Sequence, residues 1–298
     1  MGMTACGPDI VLAVRDLVVR FDTGDAAEMT VLDGVTFDVR RGETLVIMGG
    51  SGCGKSTLLN CLIGEIDPDG GSICYHLPDL PEIDLATADE NMRNALRKRF
   101  GILFQSGALF SSLTLAENVA LPLKEHSHVQ PDIIDIVVAM KLQQVRMLPH
   151  RDKYPAQLSG GQKKRAGLAR ATALDPQLLF YDEPSAGLDP VTSSAIDELM
   201  MDLAHKLHVT SVVVTHEMDS AFRIADRMIM LEKGRILKIG PRREFEALRD
   251  AEPQTLPTDT DRLLHQFLRG AATGPLTDAE GTSEYEKILV GTRTVTLR

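Results

Sequence analysis

The chain has 298 residues, enough for one large domain or two small ones. Hydrophobic residues make up 43% of it, an ordinary globular share, and no apolar run approaches the roughly 18 residues that would cross a bilayer. A net charge of −10 argues against a nucleic-acid partner.

Residues 10–21 read as a strand, Thr23-Gly24-Asp25 as a turn, and 31–40 as a second strand closed by Arg41-Gly42-Glu43. Residues 44–48 form a short apolar strand. It runs into Gly49, Gly50, Ser51, Gly52, Cys53, Gly54, Lys55 and Ser56, and a helix follows over 55–63. The G-x-x-x-x-G-K-S spacing is a P-loop in the strand–loop–helix setting it requires. Glycines let backbone N–H groups curl around phosphates, Lys55 reaches the β/γ oxygens, and Ser56 offers a hydroxyl to Mg²⁺. The motif alone implies only some nucleoside triphosphate.

Residues 78–85 are loop-like, 86–99 read as a polar helix, and 101–104 as a strand ending at Gln105, an amide able both to accept from and donate to a water or phosphate. In 106–113, Leu109, Phe110 and Leu113 fit a core and a partner groove equally well. Helical periodicity marks 114–124, 132–142 and 162–174. The last follows Leu158-Ser159-Gly160-Gly161-Gln162, whose serine is a good N-cap. The runs 178–181 and 211–215 read as buried parallel strands flanking a helix over 193–207. Asp182 and Glu183 end the first run, where neighbouring side chains point to opposite sides and can take different tasks. His216 ends the second.

A hairpin is expected over 228–239. From about 250, prolines, Gly270, Gly274 and Pro275 suggest an extended tail with one helix, 262–269. Its Leu263, Leu264, Phe267 and Leu268 would form an apolar stripe. The cysteines at 6, 53, 61 and 74 fit no zinc spacing and read as reduced cytosolic thiols; no secretory or myristoylation start precedes them.

Taken in order, these motifs resemble the ATP-binding-cassette family over residues 10–245: Phe21, the P-loop, Gln105, Leu158–Gln162, Asp182 with Glu183, Ser185-Ala186-Gly187-Leu188-Asp189, and His216. The resemblance implies an α/β fold with a RecA-like P-loop NTPase core, an antiparallel β-subdomain and an α-helical subdomain near 106–165. The cassette would span 9–249, with a C-terminal extension over 250–298. It implies that Phe21 stacks on adenine and that Gly49 through Thr57 hold the phosphates of ATP. Ser56, Gln105 and Asp182 would lie on the Mg²⁺ side, while Glu183, His216 and Gln105 act on the attacking water and γ-phosphate. Ser159, Gly160, Gly161, Gln162 and Asp189 would face the nucleotide of a second copy, so the working unit is a homodimer.

Residues 103–110, 117–123 and 183–192, with the tail 261–275, are similar to the ATPases of Mla/Mce-type lipid transport systems. This implies membrane permease subunits, an Mce-domain lipid-binding protein, no nucleic acid, and a peripheral place on the cytoplasmic face of the inner membrane. An importer for another solute such as amino acids, a soluble cassette acting on nucleic acid, and a non-catalytic cassette are the alternatives. Residues 278–298, with alternating 292–297, carry no resemblance.

Overall fold

The computed structural model describes residues 9–22 and 28–271. Cys6, the turn expected at Thr23-Gly24-Asp25, Gly274, Pro275 and the strand-like 292–297 lie outside the described residues. The chain divides into two compact units, Met1–Ile239 and Gly240–Arg298.

The first unit is built on two sheets. One has the order β2-β1-β4-β5, formed by β1 (Ile10–Asp22), β2 (Glu28–Arg40), β4 (Gly70–Tyr75) and β5 (Ile83–Asp84), with antiparallel pairs throughout. The other has the order β10-β9-β3-β8-β7-β6, formed by β3 (Thr44–Met48), β6 (Phe100–Leu103), β7 (Leu178–Asp182), β8 (Thr210–Val214), β9 (Arg227–Glu232) and β10 (Arg235–Pro241). From β9 to β6 every pairing is parallel. Leu45–Met48, Leu178–Tyr181 and Thr210–Val214 are buried along their whole length, as expected of parallel strands covered on both faces. Lys233 and Gly234, both at positive φ, make the two-residue turn of the β9–β10 hairpin.

Helices α1 (Lys55–Leu62), α2 (Glu90–Arg97), α3 (Leu115–His126), α4 (Pro131–Gln144), α5 (Gly160–Ala171), α6 (Pro190–Leu207) and α7 (Met218–Ile224) complete this unit. Caps decide where several of them start. Thr114 and Glu117 form a capping box for α3, Ser159 and Gln162 another for α5, and the Asp189 carboxylate accepts from the amides of Val191 and Thr192 at the head of α6. The helices expected from 162 and 193 therefore begin two and three residues earlier, at Gly160 and Pro190. Asp89 caps α2 through the Met92 amide, so the helix expected over 86–99 is shortened to Glu90–Arg97.

In the second unit, α8 (Arg242–Asp250) and α9 (Asp259–Arg269) lie against each other. The helix expected at 262–269 is present and begins three residues earlier, at Asp259; the tail from 272 onward lies outside the described residues. Thr258 caps α9, and Gly270, in the left-handed region at φ 61°, ends it. Of the expected apolar stripe, Leu264 and Leu268 are buried, while Leu263 and Phe267 are half-buried.

Candidate active site

The candidate residues gather where parallel strands end, the edge at which open α/β sheets bind ligands. β3 runs into the loop 49–54, β7 ends at Asp182, and β8 is followed by Thr215 and His216. The parallel register sets Ile47 beside Val214 and Val214 beside Asp182, so three chain segments far apart in sequence deliver their next residues to one place.

At its two ends the loop 49–54 is shaped by contacts that leave no room for a side chain. A Cβ on Gly49 would lie 2.3 Å from the Leu231 carbonyl oxygen. Gly54 has φ 107°, and its Cβ would meet Leu32 Cδ2 at 2.8 Å. Lys55 folds back over the loop and is buried; its Nζ donates to the Gly49 and Gly50 carbonyls, each at 2.8 Å. Ser51, Gly52 and Ser56 are exposed, Thr57 is half-buried, and Cys53 is buried, which pushes its thiol pKa up. The loop leads straight into the first turn of α1, where helix amides and the Lys55 ammonium favour an anion.

Asp182 is half-buried, and its Oδ1 is a buried oxygen with no hydrogen-bond partner. Burial pushes its carboxyl pKa up, the Glu183 charge adds to this, and Lys164 and Lys55 oppose it. A buried, unpartnered carboxylate oxygen beside a phosphate cradle fits a divalent cation, which would supply the missing partner and offset the repulsion from Glu183.

Glu183 follows with φ 47°, an uncommon left-handed conformation for a residue with a side chain. Its amide donates to the Val214 carbonyl at 2.9 Å. Its Oε1 lies 2.8 Å from His216 Nδ1, and its Oε2 accepts the His216 amide at 3.3 Å. The carboxylate is largely buried, whereas the His216 ring is open to solvent. An ionised carboxylate only accepts, so this contact places the proton on Nδ1.

Gln105 lies exposed two residues past β6. Phe21, near the end of β1, presents an exposed aromatic ring. In the following segment Phe110 is exposed rather than core, and Leu109 and Leu113 are half-buried. Asn118 holds that segment through the Phe110 amide and the carbonyls of Phe110, Leu113 and Thr114.

Ser159, Gly160, Gly161 and Gln162 form the head of α5. The hydroxyl of Ser159 accepts the Gln162 amide at 3.3 Å, and Gln162 Oε1 accepts the Ser159 amide at 3.0 Å. Gly161 is pressed against Thr192, to which a Cβ would approach within 2.4 Å. Among the described residues no hydrogen bond joins 159–162 to 49–56. Asp189 is exposed, and its bonds to Thr192 hold its carboxyl below the usual range.

One polar residue of this region escapes a reading by motif. Lys164 is buried in α5, and its Nζ donates to the Glu183 carbonyl at 2.8 Å. The available signal is spacing: Gly161, Lys164 and Gly167 recur at i, i+3, i+6 on the buried face of α5.

Comparison with known proteins decides the family. The ABC transporter family model matches residues 32–186. The chain belongs to the ABC transporter family. Among its relatives is the "probable ribonucleotide transport ATP-binding protein mkl" of Mycobacterium leprae, 38% identical over 95% of this chain and 77% of that protein. Another is the "intermembrane phospholipid transport system ATP-binding protein MlaF" of Haemophilus influenzae, 35% identical over 94% of this chain and 98% of that protein. A solved structure of the ATP-binding cassette MJ0796, a dimer in a post-hydrolysis state bound to ADP and Pi, superposes with a TM-score of 0.70 at 28% identity, covering 78% of this chain and 98% of that one. The expected RecA-like core with its antiparallel sheet is therefore that of an ABC cassette, and the chain is an ATP-binding, ATP-hydrolysing member of the family.

Proposed function

We propose that this chain is the ATPase subunit of a phospholipid transport system of the cell envelope, working as a homodimer beneath membrane permease subunits and an Mce-domain partner. The observation that carries the catalytic reading is the Glu183 carboxylate, fixed by His216 next to the unpartnered oxygen of Asp182. The lipid reading is supported by the relative from Haemophilus influenzae, nearly all of whose length this chain covers. Among the described residues no helix is long and apolar enough to cross a membrane. In this reading the chain lies on the cytoplasmic face of the inner membrane through its partners. The nucleotide-binding cassette extends over 9–249, with its helical subdomain near 106–165.

In this reading the amides and side chains of Gly49 through Thr57 bind the triphosphate of ATP, and Lys55 exchanges its two loop carbonyls for phosphate oxygens. Phe21 offers its π-face to adenine, a contact that reads no base edge. Ser56, Gln105 and Asp182 hold Mg²⁺, which offsets charge on the phosphates. Glu183 accepts the proton of the attacking water, and His216 keeps that carboxylate aimed. Ser159, Gly160, Gly161, Gln162 and Asp189 face the nucleotide bound by the second copy, which makes hydrolysis dependent on dimer closure.

Glu183→Gln keeps the size of the side chain, replaces one accepting oxygen by a donor amide and removes the base. It should leave ATP binding intact and reduce turnover on the order of 10²–10⁴-fold, while accumulating an ATP-bound dimer. Near-normal phosphate release by this variant would refute the assignment. Cargo is tested by isolating the native membrane complex and identifying its proteins and lipids. Recovery of a solute-binding protein in place of an Mce-domain protein would move the reading to a nutrient importer.

A further inference from the structure

We propose that Lys164 is a positioning residue for hydrolysis, holding Glu183 in its working conformation and tying it to the nucleotide engaged by the head of α5. This rests on the reading of Glu183 as base and of Ser159–Gln162 as facing the second copy's ATP.

Glu183 holds an unfavourable backbone conformation, φ 47°, which persists only if its surroundings fix it. Two strand-level contacts do so from one side: its amide is bonded to Val214 and its carboxylate to His216. From the other side, among the described residues, the only charged donor is Lys164, 2.8 Å from the Glu183 carbonyl. That carbonyl also accepts the Ala186 amide at 3.3 Å, so losing Lys164 does not orphan it. The lysine therefore contributes direction more than hydrogen-bond satisfaction.

Burying an ammonium is costly, and its surroundings show the cost. Burial lowers the Lys164 pKa to about 8, while Asp182 and Glu183 pull it back up. An apolar residue would avoid that cost at a position serving packing alone.

The helix that carries Lys164 is anchored at both ends of its buried face. Gly161 is packed on Thr192, and Gly167 is packed so closely on Gly107 that a Cβ would lie 3.0 Å from its carbonyl oxygen. Arg170 donates to the carbonyls of Ala108 and Gly107, at 2.6 and 3.3 Å, in the loop that follows Gln105. A displacement at Ser159–Gly160 therefore reaches Glu183 through Lys164, and the Gln105 loop through Arg170, along one rigid element.

The test uses the full chain with ATP and Mg²⁺. Lys164→Met keeps the length and removes the donor. Its affinity for ATP should match that of the wild type, while kcat falls on the order of tenfold through misplacement of the base. In a Ser51→Cys/Ser159→Cys background, ATP-dependent inter-chain crosslinking should be as efficient with Lys164→Met as without it. Closure would then persist while hydrolysis slows, which a merely structural defect would not produce. Lys164→Arg, which retains a cationic donor, should recover most of kcat. Should the Met variant fail to fold, Lys164→Gln is read in the same way against Arg. Wild-type kcat in the Met variant, joint loss of crosslinking and kcat, or an Arg variant as slow as Met would each overturn the proposal. Glu183→Gln alone separates the two levels: if it hydrolyses normally the catalytic reading fails, and if it is inactive while Lys164→Met is normal only the role of Lys164 fails.

Discussion

Nδ1 of His216 lies 2.8 Å from Oε1 of Glu183, and the His216 amide donates to Oε2 of the same carboxylate. This two-point grip from the loop after β8 sets the plane of the group proposed to take a proton from water. Removing the ring leaves one point of that grip, the backbone amide on Oε2, about which the carboxylate can turn. His216→Ala should therefore lower kcat on the order of 10²-fold with little change in KM, since misplacing a catalytic group by about 1 Å costs that much. Steady-state phosphate release checks it, and an equal rise in KM with unchanged kcat would assign His216 to binding instead.

Lys55 donates to the Gly49 and Gly50 carbonyls, and in the proposed reading it gives up these partners for phosphate oxygens. ATP at about 100-fold its Kd stabilises a folded chain by about 2.7 kcal/mol, a rise of roughly 4 °C in Tm for a protein of this size. Lys55→Ala should abolish that rise. Asp182→Asn should keep the rise given by ATP with a chelator but lose the increment that Mg²⁺ adds, because the unpartnered Oδ1 is what a cation would bind. Scanning fluorimetry with and without Mg²⁺ separates the two effects.

The parallel core was legible because β3, β7 and β8 are buried on both faces and so appear as unbroken apolar runs. β4 was not: it opens on Gly70 and Gly71 and is buried only at Ile73 and at Tyr75, its last residue, so neither an apolar run nor a clean alternation marks it. α7 has seven residues, too few to display a helical period, and α8 carries one buried residue, Phe245, among charges. At the site, the motifs named the individual groups, but the pairing of Glu183 with His216 depends on the β7–β8 register, which no local pattern encodes. Lys164 was hidden by its type, since it is one of three adjacent cations, Lys163, Lys164 and Arg165, and nothing local marks which of them is buried.

Glu43 and Arg227 form a largely buried ion pair at 2.8 Å at the opposite end of β3 and β9 from the candidate site. Burial raises the Glu43 carboxyl above its usual range, and Arg227 partly offsets this. A raised carboxyl stabilises the fold below its unfolded value of 4.5, and that contribution is lost as pH rises through the folded value. Arg227→Met removes the offset and pushes the folded value higher still. The variant should lose about 3–5 kcal/mol near neutral pH and distinctly less near about pH 5, where Glu43 can protonate. Urea midpoints at the two pH values check this, and a pH-independent loss would show that packing of the arginine stem dominates.

Ser159–Gln162 and the loop 49–56 share no hydrogen bond within the described chain, although both kinds of group are expected around one triphosphate. In the proposed homodimer, two copies arranged head to tail would resolve this, each lending the start of α5 to the other's loop. Mixing a Lys55→Ala chain with a Ser159→Arg chain should then restore part of the activity that each lacks alone, because one of the two sites in a mixed dimer is intact. A requirement that both sites fire together would hold the mixture silent, so a second measurement is needed. In a Glu183→Gln chain carrying Ser51→Cys and Ser159→Cys, oxidation with ATP present should give an inter-chain disulfide, and oxidation without ATP much less. A disulfide needs Cα atoms within about 7 Å, so the bond reports the approach of those two loops and nothing looser. Silence in the mixture together with no inter-chain disulfide under trapping conditions would contradict the head-to-tail arrangement. A disulfide with a silent mixture would keep that arrangement and show that the two sites hydrolyse only as a pair.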